Sequence, residues 1–401
     1  MSIFNGWEKR KWGDLATLEY GKGLRDYRNS DGQYPVFGTN GQIGWHHECL
    51  CPFAGVIIGR KGAYRGIHYS NSPFFAIDTA FYLKPIIYGS FCVKWAYYQL
   101  LDFDINKMDS GSAIPSTSRN AFYAIELLFP PLSTQRKIAA ILSAYDDLIE
   151  NNLRRIKILE EMAQNLYREW FVKFRFPGHE QARFIDSPLG RIPKGWEVTT
   201  VEKTFIILGG GTPSKVVSEY WNEGTVNWYT PTDLTASSSM FMEESGKKIS
   251  ELGLRMSSAR LFPSFSVMMT SRATLGVISI NTTEACTNQG FITCIPNERF
   301  PLYTLFFWLK ENVEYFISLG TGATFKEITK GIFKTIELIV PEQLIISQFE
   351  EVIQPFTLQI LNLQRKNKSL RRTRDMLLPK LISGEVDVSE LDITIPEEVA
   401  A

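Results

Sequence analysis

Short turns in both halves carry the residues best suited to recognition chemistry, those of the first half being glycine-rich. In the first half, GTNGQIG and GRKGAYRG set Thr39, Asn40, Arg60, Lys61 and Arg65 on turns between short apolar runs. In the second half, SRATLG sets Ser271, Arg272 and Thr274, with Thr232 and Asp233 upstream in YTPTDL. Such side chains suit DNA: arginine forks onto guanine, asparagine onto adenine, and hydroxyls and lysines reach phosphate. Arg119 and Lys330, at matched places of a repeated segment, complete the candidate set. The plainer alternative is that glycines and small polar residues simply build hairpins. Recurrence of a basic turn in both halves favours recognition for the regions, though not for any single position.

Catalytic constellations are missing. GGGTPSK (209–215) has glycines without the spacing of a phosphate-binding loop, and neither GxSxG nor HExxH occurs. No Asp or Asn precedes the prolines of FPPL (129–132), so the amino-methyltransferase tetrapeptide is absent too. HHECLC groups His46, His47, Cys49 and Cys51, but structural zinc sites usually draw ligand pairs from separated segments, so ordinary hairpin side chains are the better reading and no metal is expected. The chain is expected to catalyse nothing by itself.

The elements that position these turns come twice. PKGWEV (193–198) echoes FNGWEK (4–9), and STSRNAFYAIELLFP (116–130) matches EITKGIFKTIELIVP (327–341). Each copy is followed by apolar residues spaced alternately four and three apart. The first series is Ile138, Leu142, Tyr145, Ile149, Asn152, Ile156, Leu159, Ala163, Leu166 and Trp170. The second is Phe349, Ile353, Phe356, Ile360, Leu363, Asn367, Leu370, Arg374, Leu377 and Leu381. At about 1.5 Å per residue the first is a rod of roughly 50 Å, and its seam must be covered. The expected solution is an antiparallel coiled coil within the chain, pairing Asn152 with Asn367, Ala163 with Phe356, and Trp170 with Phe349. Two helices packing independently on their own domains are the alternative. An asparagine pair in the seam costs stability and fixes register. Pro355 is expected to kink or divide the second helix.

The fold class is therefore α+β, with two similar regions joined by two long helices in pseudo-two-fold fashion. Expected divisions are 1–130, 131–175 (first helix), 176–194 (a Pro/Gly-rich linker), 195–340, 341–384 (second helix) and 385–401 (a tail). AGVIIGRKGAYRGIHYS and FSVMMTSRATLGVISIN read as strand pairs. FCVKWAYYQLLDF (91–103) and LYTLFFWLKENVEYF (302–316) read as buried helices. About twenty extra residues in the second region are placed at 236–260, as an added loop or helix.

Composition bounds the partners. A 401-residue chain with 44% hydrophobic residues reads as about two or three domains with ample cores. No stretch approaches about 18 consecutive apolar residues, so a soluble cytoplasmic protein without membrane contact is expected. Five scattered cysteines fit a reducing compartment. Net charge is zero, yet RKNKSLRRTR (365–374) holds six basic residues and no acidic one.

The pattern PPLSTQRKIAAILSAYDDLIENNLRRIKILEEMAQNLYREWFVKFRFPGHE…DSPLGRIPKGWEV, preceded by GTNGQIGW, GRKGA and GSAIPS, resembles the DNA-specificity subunits of type I restriction–modification systems over essentially the whole chain. The resemblance implies a non-catalytic subunit with two target-recognition domains, each reading half of a bipartite double-stranded DNA site, and helices that set the unread gap. It further implies two docked methyltransferase subunits and added ATP-dependent restriction subunits. S-adenosylmethionine, ATP and Mg would belong to those partners, with no cofactor in this chain. A silent or donor copy and a fused single-chain modifying enzyme are the alternatives. The second helix begins PEQLIISQFEE where the first has PPLSTQRKIAA, with Gln348 two positions from the equivalent of Gln135, so the two docking ends are not expected to be equivalent.

Overall fold

A computed structural model describes residues 6–28, 31–108, 115–322 and 326–400. Residues 111–114 of the GSAIPS motif lie outside them. The chain separates into two compact units, one of residues 1–151 with 367–401 and one of residues 152–366.

In the first unit, strands Ala16–Tyr20, Ala80–Pro85, Gly55–Gly59 and Ile67–Ser70 form an antiparallel sheet in that spatial order. A second sheet sets Tyr34–Gly38 between Gly41–His46 and Phe75–Ala76. The Val93–Leu101 helix covers a core rich in rings, where Trp12 stacks on Phe122 at 5.8 Å and meets Phe91 edge-on at 6.1 Å. Burying such rings contributes both apolar area and specific geometry.

The second unit repeats this order. Strands Ile206–Gly209, Phe291–Ile295, Val267–Thr270 and Ile278–Asn281 follow one another, and a three-stranded sheet sets Val226–Tyr229 between Lys247–Ile249 and Ala285–Thr287. The extra residues are not a plain loop or helix. They place the Pro231–Ser237 helix and the edge strand Phe241–Met242 between two strands that a tight turn joins in the first unit, then add the Glu251–Arg255 helix. Residues 302–316 make two helices rather than one, Leu302–Glu311 and Val313–Leu319, which meet at Asn312.

The long helices are Leu132–Tyr167, closed by a wider turn at Arg168–Val172, and Gln343–Ile382. Within the first unit their segments run antiparallel. Lys137 Nζ donates to the Ser389 carbonyl just beyond the second helix, Arg374 Nη1 to Asp146, and Asn367 Nδ2 to the Ile149 carbonyl at 3.4 Å. Within the second unit the Phe349 ring packs on Tyr167, Trp170 and Phe171 at 5.8, 5.9 and 4.8 Å. Ala163 is fully buried in the same cluster, and Phe356 is among the partly buried side chains packed against that cluster. Asn152 and Asn367 are both buried, as their seam positions require.

Pro355 does not divide the second helix, which is helical through it. A proline inside a helix costs about 3 kcal/mol. Phe349, Ile353 and Ile360 on either side are fully buried, each worth about 1.5–3 kcal/mol, so packing outweighs the lost hydrogen bond. The linker holds a hairpin, Phe184–Ser187 pairing with Gly190–Pro193 and turning at Gly190, whose φ is +94°. The tail also packs, with Val388 and Val399 buried in the first unit's core. Among the described residues no helix is long and apolar enough to cross a membrane.

Candidate nucleic-acid interface

Each unit builds the same turn from the same connections. In the first, the turn after Gly55–Gly59 is held by Arg60 N donating to the Thr79 carbonyl, Thr117 N donating to the Arg60 carbonyl, and a bridge between Lys61 and Ser116. In the second, Ser271 N donates to the Gly290 carbonyl, Ile328 N donates to the Ser271 carbonyl, and Arg272 bridges to Glu327. Next to each bridge a hydroxyl caps a short helix: Ser118 accepts from Ala121 N and Thr329 from Ile332 N, both at 3.3 Å. Capping by Ser or Thr satisfies an amide that otherwise lacks a partner. The first residues of those helices are Arg119 and Lys330.

The structure therefore gathers Arg60, Lys61 and Arg119 around one concavity that also holds Asn120. Its floor is Tyr20, which residue-type reasoning did not single out. The Arg60 guanidinium lies 4.8 Å from the Tyr20 ring centroid and that of Arg119 lies 5.2 Å away. The ring attracts both guanidiniums through cation–π interaction. The Arg119 guanidinium also donates to the Tyr123 hydroxyl at 3.0 and 3.2 Å, which raises its pKa against partial desolvation. In the second unit Lys330 lies across Gly209, the strand-end residue at the place of Tyr20, where a Cβ would come within 2.7 Å of its ammonium nitrogen. Arg272 differs from Lys61 in pairing with Glu327 at 2.6 Å.

Other candidates have internal work. Arg65 is buried at 4% exposure and donates through Nη2 to the carbonyls of Ile105, Asn106 and Met108, so the expectation that it faces DNA is corrected. Thr39 donates to the carbonyls of Lys61 and Thr79, tying two turns together, while Asn40 beside it is exposed. Ser271 is buried and contributes its backbone. Thr274 is exposed, its carbonyl accepting from the Thr270 hydroxyl. Asp233 spends its carboxylate on Thr230 and Gly246. The glycine stretches YGKG and LGGG are close-approach points: a Cβ on Gly21 or Gly210 would sit 2.0 Å from the carbonyl oxygen of Ile77 or Asn288.

No group of three or more His, Cys, Asp or Glu is placed to hold a metal among the described residues. Cys51 is buried and its thiol is pushed up to about 12, chiefly by desolvation. Gln135 is fully buried: its side chain accepts from Cys92 N, at the start of the Val93–Leu101 helix, and donates to the Pro130 carbonyl.

The model of the type I restriction modification DNA specificity domain matches residues 5–161 and 193–370. The chain belongs to that family. It is 27% identical over 295 residues to the MjaIX specificity subunit of Methanocaldococcus jannaschii, covering 72% of this chain and 66% of that one, just under two thirds of the relative's length. The HindI specificity subunit of Haemophilus influenzae is 24% identical over 331 residues, covering 68% of this chain and 71% of the relative. The crystal structure of a type I restriction–modification S subunit from M. genitalium shares the fold at a TM-score of 0.60 and 16% identity, over 98% of this chain and 99% of that one. Family membership accounts for the doubled α+β plan with its two long helices.

Proposed function

We propose that the chain is the DNA-reading subunit of a type I restriction–modification complex, each recognition region reading one half of a bipartite double-stranded site. The observation that carries this reading is the basic turn built twice from equivalent hydrogen bonds, with Arg60, Lys61 and Arg119 in one copy and Arg272 and Lys330 in the other. Arginine and lysine on rigid, glycine-flanked turns position phosphates and leave neighbouring polar groups to read base edges. The long helices act as the ruler for the unread gap, with Asn152 and Asn367 setting their register. Two copies of an S-adenosylmethionine-dependent adenine methyltransferase subunit dock on this chain, and ATP-dependent restriction subunits add to them. Catalysis and its cofactors lie in those partners, all acting in the cytoplasm. A formal net charge of zero is compatible with DNA binding if partners share the phosphate contacts.

Adenine methylation mapped across the genome, with and without this gene, tests the proposal. Deletion should remove one bipartite motif, whereas an unchanged methylome overturns the role in the native cell. Exchanging residues 1–120 for those of another family member should alter one half of the motif only. Inserting seven residues near both Asn152 and Asn367 should lengthen the gap or abolish modification, and an unchanged gap refutes the ruler.

A further inference from the structure

The segment NQGFIT (288–293) reads from sequence as a turn shared by both halves. Strand pairing sets Ala80 opposite Gly59 and Phe291 opposite Thr270, so Asn288 and Gln289 occupy the places of Ile77 and Asp78. The two units therefore differ in chemistry at one point of a common frame. Asn288 and Gln289 lie in an open groove of the second unit, alongside Lys215, Lys247 and Lys248.

We propose that Asn288 and Gln289 are specificity-determining residues that read adenine in the half-site of the second region, and that Lys215, Lys247 and Lys248 hold the flanking phosphates. This rests on the DNA-reading function proposed above and deepens it. Both amides are held in place before any ligand arrives. Thr212 donates its hydroxyl to Gln289 Oε1 at 2.6 Å, which fixes the rotation of the amide and leaves a lone pair and both N–H groups for a base. Asn288 Oδ1 accepts from Gly290 N at 2.9 Å, and Asn288 N donates to the Tyr229 carbonyl at 3.0 Å. An amide offering one acceptor and one donor side by side matches N6 and N7 of adenine in the major groove.

The groove walls are equally fixed. Trp228 and Trp221 meet edge-on at 5.0 Å, and their indole N–H groups donate to the carbonyls of Gly211 and Ser214, which secures the segment carrying Thr212 and Lys215. The opposite wall is held by Asp233 accepting from Gly246 N, next to Lys247 and Lys248. That carboxylate is occupied internally, while the three lysine side chains are exposed. The wall with Lys247 and Lys248 follows the added Pro231–Ser237 helix and Phe241–Met242 strand, so this reading surface belongs to the second region alone.

The test retains a random-sequence duplex DNA library on the complex of this chain with the subunits that co-purify with it, and sequences what binds. The wild-type complex should retain a bipartite motif. Gln289→Ala or Asn288→Ala should relax one adenine-containing position in one half, losing roughly 5- to 150-fold discrimination there, with the other half unchanged. The pair Lys247→Gln and Lys248→Gln should keep the motif and lower the slope of log affinity against log salt by about two. A wild-type motif that survives both amide substitutions at full contrast overturns the assignment and leaves the DNA-reading function standing. A wild-type complex that retains no motif overturns both. All four side chains are half-buried or exposed, so circular dichroism matching the wild type separates a lost contact from a lost fold.

Discussion

Glu350 gives the sharpest test of how the two units solve one problem with different residues. The Leu302–Glu311 helix begins after Pro301, which has no side chain able to cap it. Glu350, from the second long helix, does so instead: its carboxylate accepts from Tyr303 N at 3.3 Å, Thr304 N at 2.6 Å and the Thr304 hydroxyl at 2.8 Å. In the first unit a neutral amide from the first long helix stands beside the matching helix start, Gln135 Oε1 accepting from Cys92 N at 2.9 Å. Desolvation raises the pKa of Glu350, against the lowering effect of its three hydrogen bonds. A raised folded-state pKa contributes stability that is complete below the unfolded value and lost as pH rises through the folded one. The carboxylate therefore penalises the fold near neutral pH, and Glu350→Gln, which keeps an acceptor without the charge, should be neutral or stabilising there. Glu350→Ala removes the cap, worth about 0.5–2 kcal/mol, and leaves the amides of the buried Tyr303 and Thr304 without that acceptor. A loss of about 2 kcal/mol in a unit of this size lowers its Tm by about 4–8 °C. Thermal unfolding between pH 4 and 8 should place Ala well below the wild type, with the Gln variant gaining on the wild type as pH rises. A Gln variant as unstable as Ala at neutral pH would refute this reasoning, because the charge itself would then be required.

Three further outcomes follow from the packing. Phe349→Ala should destabilise the second unit by about 3–5 kcal/mol in denaturant unfolding, since the ring meets Tyr167, Trp170, Phe171 and Phe307 and its removal leaves a cavity. Arg272→Ala should change stability by under about 1 kcal/mol, because its pair with Glu327 is half-exposed; a clear loss of DNA retention by that variant then reports contact rather than folding. Asp146→Ala should destabilise the first unit in the same unfolding assay, because Asp146 accepts from both Arg374 and the Tyr98 hydroxyl, and Arg374 would lose the bond that helps hold its pKa above the ordinary value despite burial.

What could be read in the sequence follows the range of the forces involved. The two long helices were legible because a four-three apolar spacing is local, and the burial of Ile138, Ile156, Ile353 and Ile360 follows from it directly. The first basic turn was legible because glycines bracket it, and the second because it recurs at the matching place. Arg65 was misassigned because nothing near it in sequence shows that the carbonyls of residues 105, 106 and 108 wait in the fold. Tyr20 was missed for the same reason: its value lies in ending a strand beside Phe81, which brings it under guanidiniums from residues 60 and 119. The behaviour of Pro355 turned on a comparison of magnitudes that the sequence contains in part. One lost hydrogen bond competes with several buried side chains, and only the partner surface decides whether those side chains are buried. The repeat itself supplied the strongest signal, because a glycine that must clear a carbonyl at Gly21 must do so again at Gly210. Where the halves depart from each other inside that shared frame, as at Lys61 and Arg272 or at Asp78 and Gln289, the difference is carried by side chains the backbone does not dictate. Those are the positions at which two similar domains can be stabilised separately and can read different bases.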